Sequence, residues 1–488
     1  MTVDVEVLIV GGGPAGSTLA ALLARRGVSV LVVEAELEVY PLPRAAHLDA
    51  ETARTLRETG AWNDGDVFSI ENEGMDFLTA DHRVLLRMTS PPPLAGCLAN
   101  SNFFHQPSLD RAMRSAATRQ GASLMLGATV TGFVDHGDRV TVEIEASDGS
   151  RTTRDAAWLV GCCGARSFVR KNLGITQTDL DFDEPWLVVD LLLKEPPPPG
   201  PLRAWQVCDP SRPHTIVPML APRKRFEFML LPGEDPDEMN RPEVIERLMA
   251  PYQPPGSADV ERSAVYRFHG LIADEWRRGR VLLAGDAAHQ MPPFLGQGMC
   301  SGIRDAANLA WKLSAVLRGA DESLLDTYQD ERSPHVRAII ESAVGFGRII
   351  CTLDPDVAAG RDAAMLAARE ADPSDRGEQA LPLLGGSALC TENGGRPMSD
   401  GLLDGHPIDE RHDGRWLVVR RHAGVDVGAL PRSIDAVVVE PGAHDDAATR
   451  LLDNTGHDLV VVRPDRIVFG AGDEALAALA RAVERFGL

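Results

Sequence analysis

The chain has 488 residues, 44% hydrophobic and 25% charged, with 49 Lys and Arg against 71 Asp and Glu for a formal charge of −22. That length suggests roughly two to four domains, and the composition is that of an ordinary globular protein. The acidic balance argues against a broad nucleic-acid or anionic-membrane surface. No run approaches the roughly 20 apolar residues of a membrane span, and the opening MTVDVEVLIVGGG has no basic n-region. A cytoplasmic protein without nucleic-acid or membrane partners is expected.

Val5–Val10 reads as a buried parallel strand and Gly11–Gly16 as a turn. Pro14 to Arg26 has helical spacing (Ala15, Leu19, Leu22, Leu23) and is closed by Gly27. Val28–Val33 is a second strand ending in Glu34, which completes a β-α-β unit. Further on, Thr129–Val134 and Val140–Ile144 are strand-like and split by the turn Asp135–Asp138. Leu187–Leu193, Thr215–Met219 and Arg225–Leu231 read as strands separated by proline-rich loops such as Pro196–Pro201. Arg280–Leu283 is a strand entering Gly285-Asp286, followed by a helix from about Gly302 to Leu317 and a helical stretch over Ser333–Ile350.

The composition then shifts. Residues 353–400 look like a linker with one helix, and a small α/β unit follows. Its strands are Trp416–Arg420, Ala436–Val439, Leu459–Arg463 and Arg466–Phe469, closed by the helix Asp473–Phe486. Seven cysteines (Cys97, Cys162, Cys163, Cys208, Cys300, Cys351, Cys390) form no C-x-x-C pair, so no zinc, other metal or dithiol site is expected. The adjacent pair Cys162–Cys163 is poorly placed for a disulfide.

The first chemical motif is Gly11-Gly12-Gly13-Pro14-Ala15-Gly16. The first glycine makes a tight turn, the second lets backbone reach a pyrophosphate, and the third allows close helix–strand packing. The helix starting there offers free N–H groups and its positive end to phosphates. Glu34, about 20 residues on, suits a ribose hydroxyl pair. This strand–turn–helix–strand–acid setting predicts dinucleotide binding and leaves FAD versus NAD open.

The second motif distinguishes them. Arg280-Val-Leu-Leu-Ala-Gly285-Asp286-Ala-Ala-His289, then Gly296-Gln297-Gly298, then Asp305-Ala-Ala-Asn-Leu-Ala-Trp311-Lys312-Leu313, resembles the group A flavoprotein aromatic hydroxylases of the p-hydroxybenzoate hydroxylase-like fold. In that family the Gly-Asp aspartate binds the FAD ribitol. The glycine-rich segment lies under the flavin ring at a helix N-terminus, where N–H groups stabilise negative charge. Three further stretches resemble the family. Pro43-Arg44-Ala45-Ala46-His47-Leu48 carries an arginine that approaches the cofactor, and Phe104-His105-Gln106-Pro107 places Gln106 near FAD. Leu159 to Arg170 resembles the fingerprint serving both FAD and reduced pyridine nucleotide.

The resemblance covers about residues 5–350 and is strongest to the 3-(3-hydroxyphenyl)propionate hydroxylase branch, on Glu184–Asp190 and Arg225–Glu234. It implies an α/β fold. A Rossmann-type FAD-binding domain (1–175 and 271–350) is interrupted by a sheet-rich substrate domain (176–270), then followed by a linker (351–400) and a thioredoxin-like domain (401–488). Packing or homodimer formation is the role left to that last domain. The implied FAD set is Gly11, Gly13, Pro14, Ala15, Gly16, Glu34, Ala35, Arg44, Gln106, Val130, Gly285, Asp286, Pro293, Gly296, Gln297, Gly298, Met299 and Cys300. Trp205, His214, Arg225 and Pro293 are the candidate substrate contacts, and no residue is assigned as the catalytic base.

Two departures from the family stand out. Cys163 replaces the acid of Cys-Asp-Gly, and Cys300 stands where Asn is common. A thiol replaces neither a carboxylate acceptor nor an amide. The first change bears on the pyridine nucleotide, and the second on fixing the isoalloxazine ring.

The reaction implied is hydroxylation of a phenol with O₂ and NADPH or NADH, through a flavin C4a-hydroperoxide. The flavin carries the chemistry while the protein positions the ring and excludes water. Fold alone does not fix reaction. Epoxidation or Baeyer–Villiger tailoring of a natural product, and a non-catalytic flavoprotein, stay open beside it.

Overall fold

The computed structural model describes residues 3–62, 68–197, 200–372, 381–442 and 446–488. Parts of the proline-rich loop at 196–201 and of the linker at 351–400 therefore lie outside the described residues. Five strands form a parallel layer in the order Val281–Leu283, Arg151–Gly161, Val5–Val10, Val30–Glu34, Ser123–Leu126. Read in chain order, that is the doubly wound pattern 3-2-1-4-5, which reverses between Val5–Val10 and Arg151–Gly161. The central strands are near-continuous apolar runs because helices cover them. The helices Pro14–Arg25 and Gly298–Leu317 bury Leu19, Leu22, Leu23, Ile303, Leu309 and Leu313. An antiparallel extension, Ala128–Asp135 and Val140–Ala146, hangs on Arg151–Gly161.

The second sheet has eight strands, in the order His289–Gln290, Ala258–Ala273, Gln177–Leu193, Arg223–Met229, His214–Val217, Arg203–Val207, Gly74–Leu78, Val84–Thr89. Two of these, Gly74–Leu78 and Val84–Thr89, come from the stretch that sequence reading gave to the dinucleotide unit. Gly74–Leu78 pairs in parallel with Arg203–Val207. The long partners Gln177–Leu193 and Ala258–Ala273 run antiparallel side by side. Alternation gives the sheet two faces. Leu187, Val189, Leu191, Phe226 and Phe228 pack outward against Met239, Ile245 and Met249 of short covering helices. Trp186 and Met229 face inward, and the Trp186 ring meets Phe294 at 5.5 Å.

The helix Asp326–Ile350 carries Pro334 inside it and starts earlier than the proline suggests, because its buried side (Tyr328, Glu331, Arg332, His335, Val336) extends on both sides of the proline. The C-terminal sheet runs Ala436–Val439, Trp416–Arg420, Leu459–Val462, Val468–Ala471, with only the first pair parallel. Among the described residues no helix is long and apolar enough to cross a membrane.

Candidate functional site

Where strand order reverses, the chain ends of Val5–Val10 and Arg151–Gly161 diverge and leave a crevice beyond their carboxyl ends. A cleft of about 590 Å³ occupies it, a size usual for a small-molecule or cofactor site. Gly11, Gly13, Pro14, Ala15, Glu34, Ala35, Arg44, Gln106, Val130, Gly285, Asp286, Gly298 and Met299 all line it. Residues from seven separate segments are thus brought together. Arg267, Phe268 and His269 of the second sheet, with Gln290 and Met291, complete the wall.

The glycine turn is built by contact. Gly11 has φ +105°, and a Cβ there would lie 2.5 Å from the Cys162 carbonyl oxygen. A Cβ on Gly16 would lie 2.0 Å from the Gly11 carbonyl oxygen, so the helix can approach the strand only without one. Gly13 is different: nothing lies within 4 Å of its Cβ position. The carboxylate of Glu34 accepts from the Gly12 N–H at 2.6 Å and the Glu36 N–H at 2.9 Å. Arg114 Nε donates to the Gly12 carbonyl at 3.1 Å. The turn is therefore held from the second strand and from the helix Gln106–Arg119.

A buried ion network holds the second turn. Asp305 Oδ2 accepts from the Gly285 N–H at 3.0 Å and meets His289 Nε2 at 2.7 Å, while Oδ1 accepts from Arg332 Nε at 2.9 Å. Burial alone would raise the Asp305 pKa, but His289 and Arg332 outweigh it and hold the carboxyl at about 2. Asp286, beside it, is left to the cleft. Its carboxylate opens onto that space and makes no hydrogen bond or ion pair with a described side chain. The surrounding protein displaces water and raises its pKa, against the pull of His289 and Arg44.

Arg44 and Gln106 are coupled. Gln106 Oε1 accepts from the Arg44 N–H at 3.0 Å and the Ala45 N–H at 2.6 Å, which fixes the segment along the cleft. The Arg44 guanidinium stays exposed, 4.4 Å over the Tyr40 ring. Cys163 lines the cleft with its Sγ 3.0 Å from Ser167 Oγ.

Other expected site residues sit elsewhere. Gly16 packs behind the turn, and Gln297 turns inward to accept from Arg304 Nη1 at 2.9 Å. Pro293 and Gly296 shape the turn before the helix, and neither lines the cleft. Cys300 is buried in an apolar cluster with Leu48, Leu56 and Ile303, its thiol 3.8 Å from the His47 and Gly296 carbonyls. Its exchange for Asn thus falls behind the turn and not on the cleft wall.

Of the candidate substrate contacts, Trp205 and His214 lie on the outward face of the sheet. Trp205 pairs with Ile216, and His214 stacks on Phe228 and Tyr252. Strand alternation, unreadable without the register, sends them there. Arg225 faces inward, bonded to Asp190.

Arg267, Phe268 and His269 escaped sequence reading because the strand Ala258–Ala273 has no clean alternation to mark it. Asp305 and His289 lay inside the quoted motif, and only the fold shows their joint tie to Arg332.

Residues 4–343 match the profile of an FAD binding domain. The chain is 38% identical to the "Probable NADH-specific resorcinol 4-hydroxylase" of Rhodococcus jostii (strain RHA1), over 98% of its own length and 94% of the relative's. A 3-(3-hydroxy-phenyl)propionate/3-hydroxycinnamic acid hydroxylase of Mycolicibacterium smegmatis (strain ATCC 700084 / mc(2)155) is also 38% identical, over 73% of this chain and 63% of that one, so just under two thirds of that relative is spanned. The crystal structure of aklavinone-11 hydroxylase with FAD and aklavinone superposes with a TM-score of 0.78 over 99% of each chain at 24% identity, a likeness of fold alone. With the profile matched over most of its length and a relative 38% identical nearly end to end, the chain belongs to the FAD-dependent aromatic hydroxylases.

Proposed function

We propose that this chain hydroxylates a small phenol, with NADH as the reductant and O₂ as the second substrate. The observation that carries the reading is Asp286, a carboxylate opening unpaired onto the cleft beside the glycine turns. Such a group is a free acceptor placed to take hydrogen bonds from ligand hydroxyls. The open space before Gly13 and the unpaired first-turn N–H groups of Pro14–Arg25 suit a pyrophosphate in the same way. FAD fits this cleft on those grounds. Asp286 would hold its ribitol, the Gly13–Ala15 turn its pyrophosphate, and Gly298–Met299 its ring.

Bound there, FAD supplies the hydride acceptor and the oxygen activation. The chain's residues do the rest. The N-terminus of the helix Gly298–Leu317 directs free N–H groups at the cleft, where they favour negative charge. The Asp305–His289–Arg332 network keeps Gly285–Asp286 in place, and Gln106 fixes the Arg44 segment. Phe182 and Trp186 close on Phe294 at 5.7 and 5.5 Å, which excludes water between the second sheet and the turn before Gly296. The relative's stated NADH specificity supports NADH over NADPH.

The unit assignments belong to this reading. Residues 1–175 with 271–350 bind FAD, apart from the strands Gly74–Leu78 and Val84–Thr89, which join the second sheet; 176–270 face the substrate, 351–400 link, and 401–488 form the thioredoxin-like unit, which the C-terminal strand order and directions support. Seven free thiols support a reducing, cytoplasmic setting, and homodimer formation is left to solution measurement.

The test is direct. The purified flavoprotein is mixed with NADH or NADPH in air, with resorcinol, phenol or 3-(3-hydroxyphenyl)propionate, and nucleotide consumption and products are followed. NADH oxidation stimulated by a phenol, with matching hydroxylated product, is expected. No stimulation by any phenol overturns the reading.

A further inference from the structure

The inward face of the second sheet carries polar groups that the site so far leaves unused. Three rows cross it in register. In one, Arg262, Asp190 and Arg225 lie side by side; in the next, Ala264, Val188, Glu227 and Thr215; in the third, Tyr266, Trp186 and Met229. The first row touches the cleft segment, since Arg225 donates to the Arg44 carbonyl at 2.6 Å and the Pro43 carbonyl at 3.0 Å. The third touches the turn before Gly296, through Trp186 on Phe294. The middle row thus lies between two segments that frame the cleft.

The middle row has small side chains on two neighbouring strands. Val188 and Ala264 are small, and Ala264 is only half-buried although it sits on the inward face. Around them are polar groups without partners among the described residues. Arg262 Nη2 and Trp186 Nε1 are buried and make no hydrogen bond. Glu227 is 7% exposed and accepts no hydrogen bond; its nearest charge is Arg225 Nη1 at 3.7 Å. Arg225 is itself committed to Asp190, at 2.6 and 3.1 Å, and to the two carbonyls. Beside Glu227 on the next strand, Thr215 donates to Gln206 Oε1 at 2.5 Å. Buried polar groups are normally paired, so two unused donors and one unused acceptor around a shallow row mark a ligand position.

Resting on the hydroxylase reading, we infer that this row seats the substrate ring on Val188 and Ala264. Glu227 accepts a hydrogen bond from one ring hydroxyl, and Arg262 or Trp186 donates to a second. Charge selects the class of substrate. Within these rows Arg225 and Arg262 are balanced by Asp190 and Glu227, so a substrate carboxylate seated there would meet Glu227 as a like charge. The substrate is therefore a neutral dihydric phenol, not a phenol bearing an acid side chain. Burial and the Asp190 charge raise the Glu227 carboxyl above its ordinary value against Arg225 and Arg262, and a further anion nearby would oppose its ionisation more.

The test uses the flavoprotein as purified and needs no turnover. Changes in flavin absorbance on adding resorcinol, and separately 3-hydroxybenzoate, give two dissociation constants. Resorcinol is expected to bind at least tenfold more tightly. Glu227→Leu should weaken resorcinol binding at least tenfold and shrink that preference, and Glu227→Gln should fall between, with KM moving more than kcat. Should Glu227→Leu not fold, Thr215→Val, which removes the hydroxyl beside Glu227 in the same row, is expected to weaken resorcinol binding severalfold. Tighter binding of 3-hydroxybenzoate, or variants within twofold of the parent, overturns the inference. Resorcinol binding as described without stimulated NADH oxidation would sink the hydroxylase reading and leave this site standing.

Discussion

Arg225 donates a hydrogen bond to the carbonyl of Arg44 at 2.6 Å, joining the second sheet to the cleft through 181 residues of sequence separation. The same guanidinium holds Asp190, so one side chain serves both as a buried ion-pair partner and as a backbone tether. Replacing it with Met leaves Asp190 dependent on Arg262 alone, and breaking a buried pair in this way costs about 3–5 kcal/mol. The double variant Asp190→Leu/Arg225→Leu should recover only part of that loss, because Asp190 is no longer stranded while buried Arg262 and Glu227 each lose a charged neighbour. It should not recover FAD retention, since the Arg44 segment has still lost its tether. Urea midpoints and FAD dissociation constants for the three proteins separate the two roles. Equal recovery of both would show that Arg225 acts only through stability.

That tether marks the boundary of what the sequence discloses. The β-α-β unit is legible because its signals are local: an apolar strand, a glycine turn, a helix closed by Gly27, and Glu34 on time. Gly285-Asp286 is legible for the same reason. The wall residues Arg267, Phe268 and His269, and the inward polar row ending in Glu227, depend on which strands become neighbours. Non-local pairing decides that, and the one-residue alternation of a strand then decides whether Arg225 or Phe226 faces the cofactor side. Trp205 and His214 look as plausible as Arg225 in the sequence. Only the register separates them.

Two glycines of one motif should fail differently. A Cβ on Gly16 would meet the Gly11 carbonyl oxygen at 2.0 Å, which backbone cannot easily relieve. Gly16→Ala should therefore destabilise the apoprotein by about 1–3 kcal/mol, the usual cost of overpacking. Gly13 has φ −76° and open space before it, so Gly13→Ala should leave the apoprotein's Tm unchanged. Its methyl would instead occupy the space assigned to the pyrophosphate and weaken FAD binding at least tenfold, about 1.4 kcal/mol. Thermal melts of apoprotein and FAD titrations check both. A Gly13→Ala protein that binds FAD normally would remove the pyrophosphate from this turn.

Asp286→Ala should trade stability and binding in opposite directions. The surrounding protein raises the carboxylate's pKa although the side chain opens to the cleft, so its ionisation at neutral pH does not add to the apoprotein's stability. Removing it should keep or slightly raise the apo Tm while FAD affinity falls roughly tenfold or more. Above the ordinary carboxylate range the parent apoprotein should lose stability relative to the variant as pH rises, because the folded pKa is the higher one. Melts from pH 4 to 8 with and without FAD decide it. A variant less stable than the parent in both forms would make Asp286 a structural residue.

The C-terminal unit should set the acid limit of the whole chain. His412 is buried against the dinucleotide unit, its Nε2 2.7 Å from the Arg463 carbonyl and its Nδ1 accepting from the Gly414 N–H at 3.3 Å. Nε2 thus carries the proton, and a second proton on Nδ1 would cost the Gly414 bond. Burial, then the Arg466 charge, lower its pKa to about 4, although Glu58 and Asp409 pull the other way. In the unfolded chain the ring takes its proton near pH 6.5. The unfolded state therefore binds the extra proton first, and stability present above pH 6.5 is lost as pH falls toward 4, by roughly 3 kcal/mol in all. His335, lowered to about 2 by burial and by Arg332, adds in the same direction. His412→Asn removes the titrating ring, so its urea midpoint should fall less between pH 7 and pH 4.5 than the parent's. The unit is fastened by Arg54 to Asp409 at 2.6 Å and by Arg466 to Glu58, so FAD release should accompany unfolding in the parent. An equal fall in parent and variant would place the acid sensitivity in the carboxylates instead.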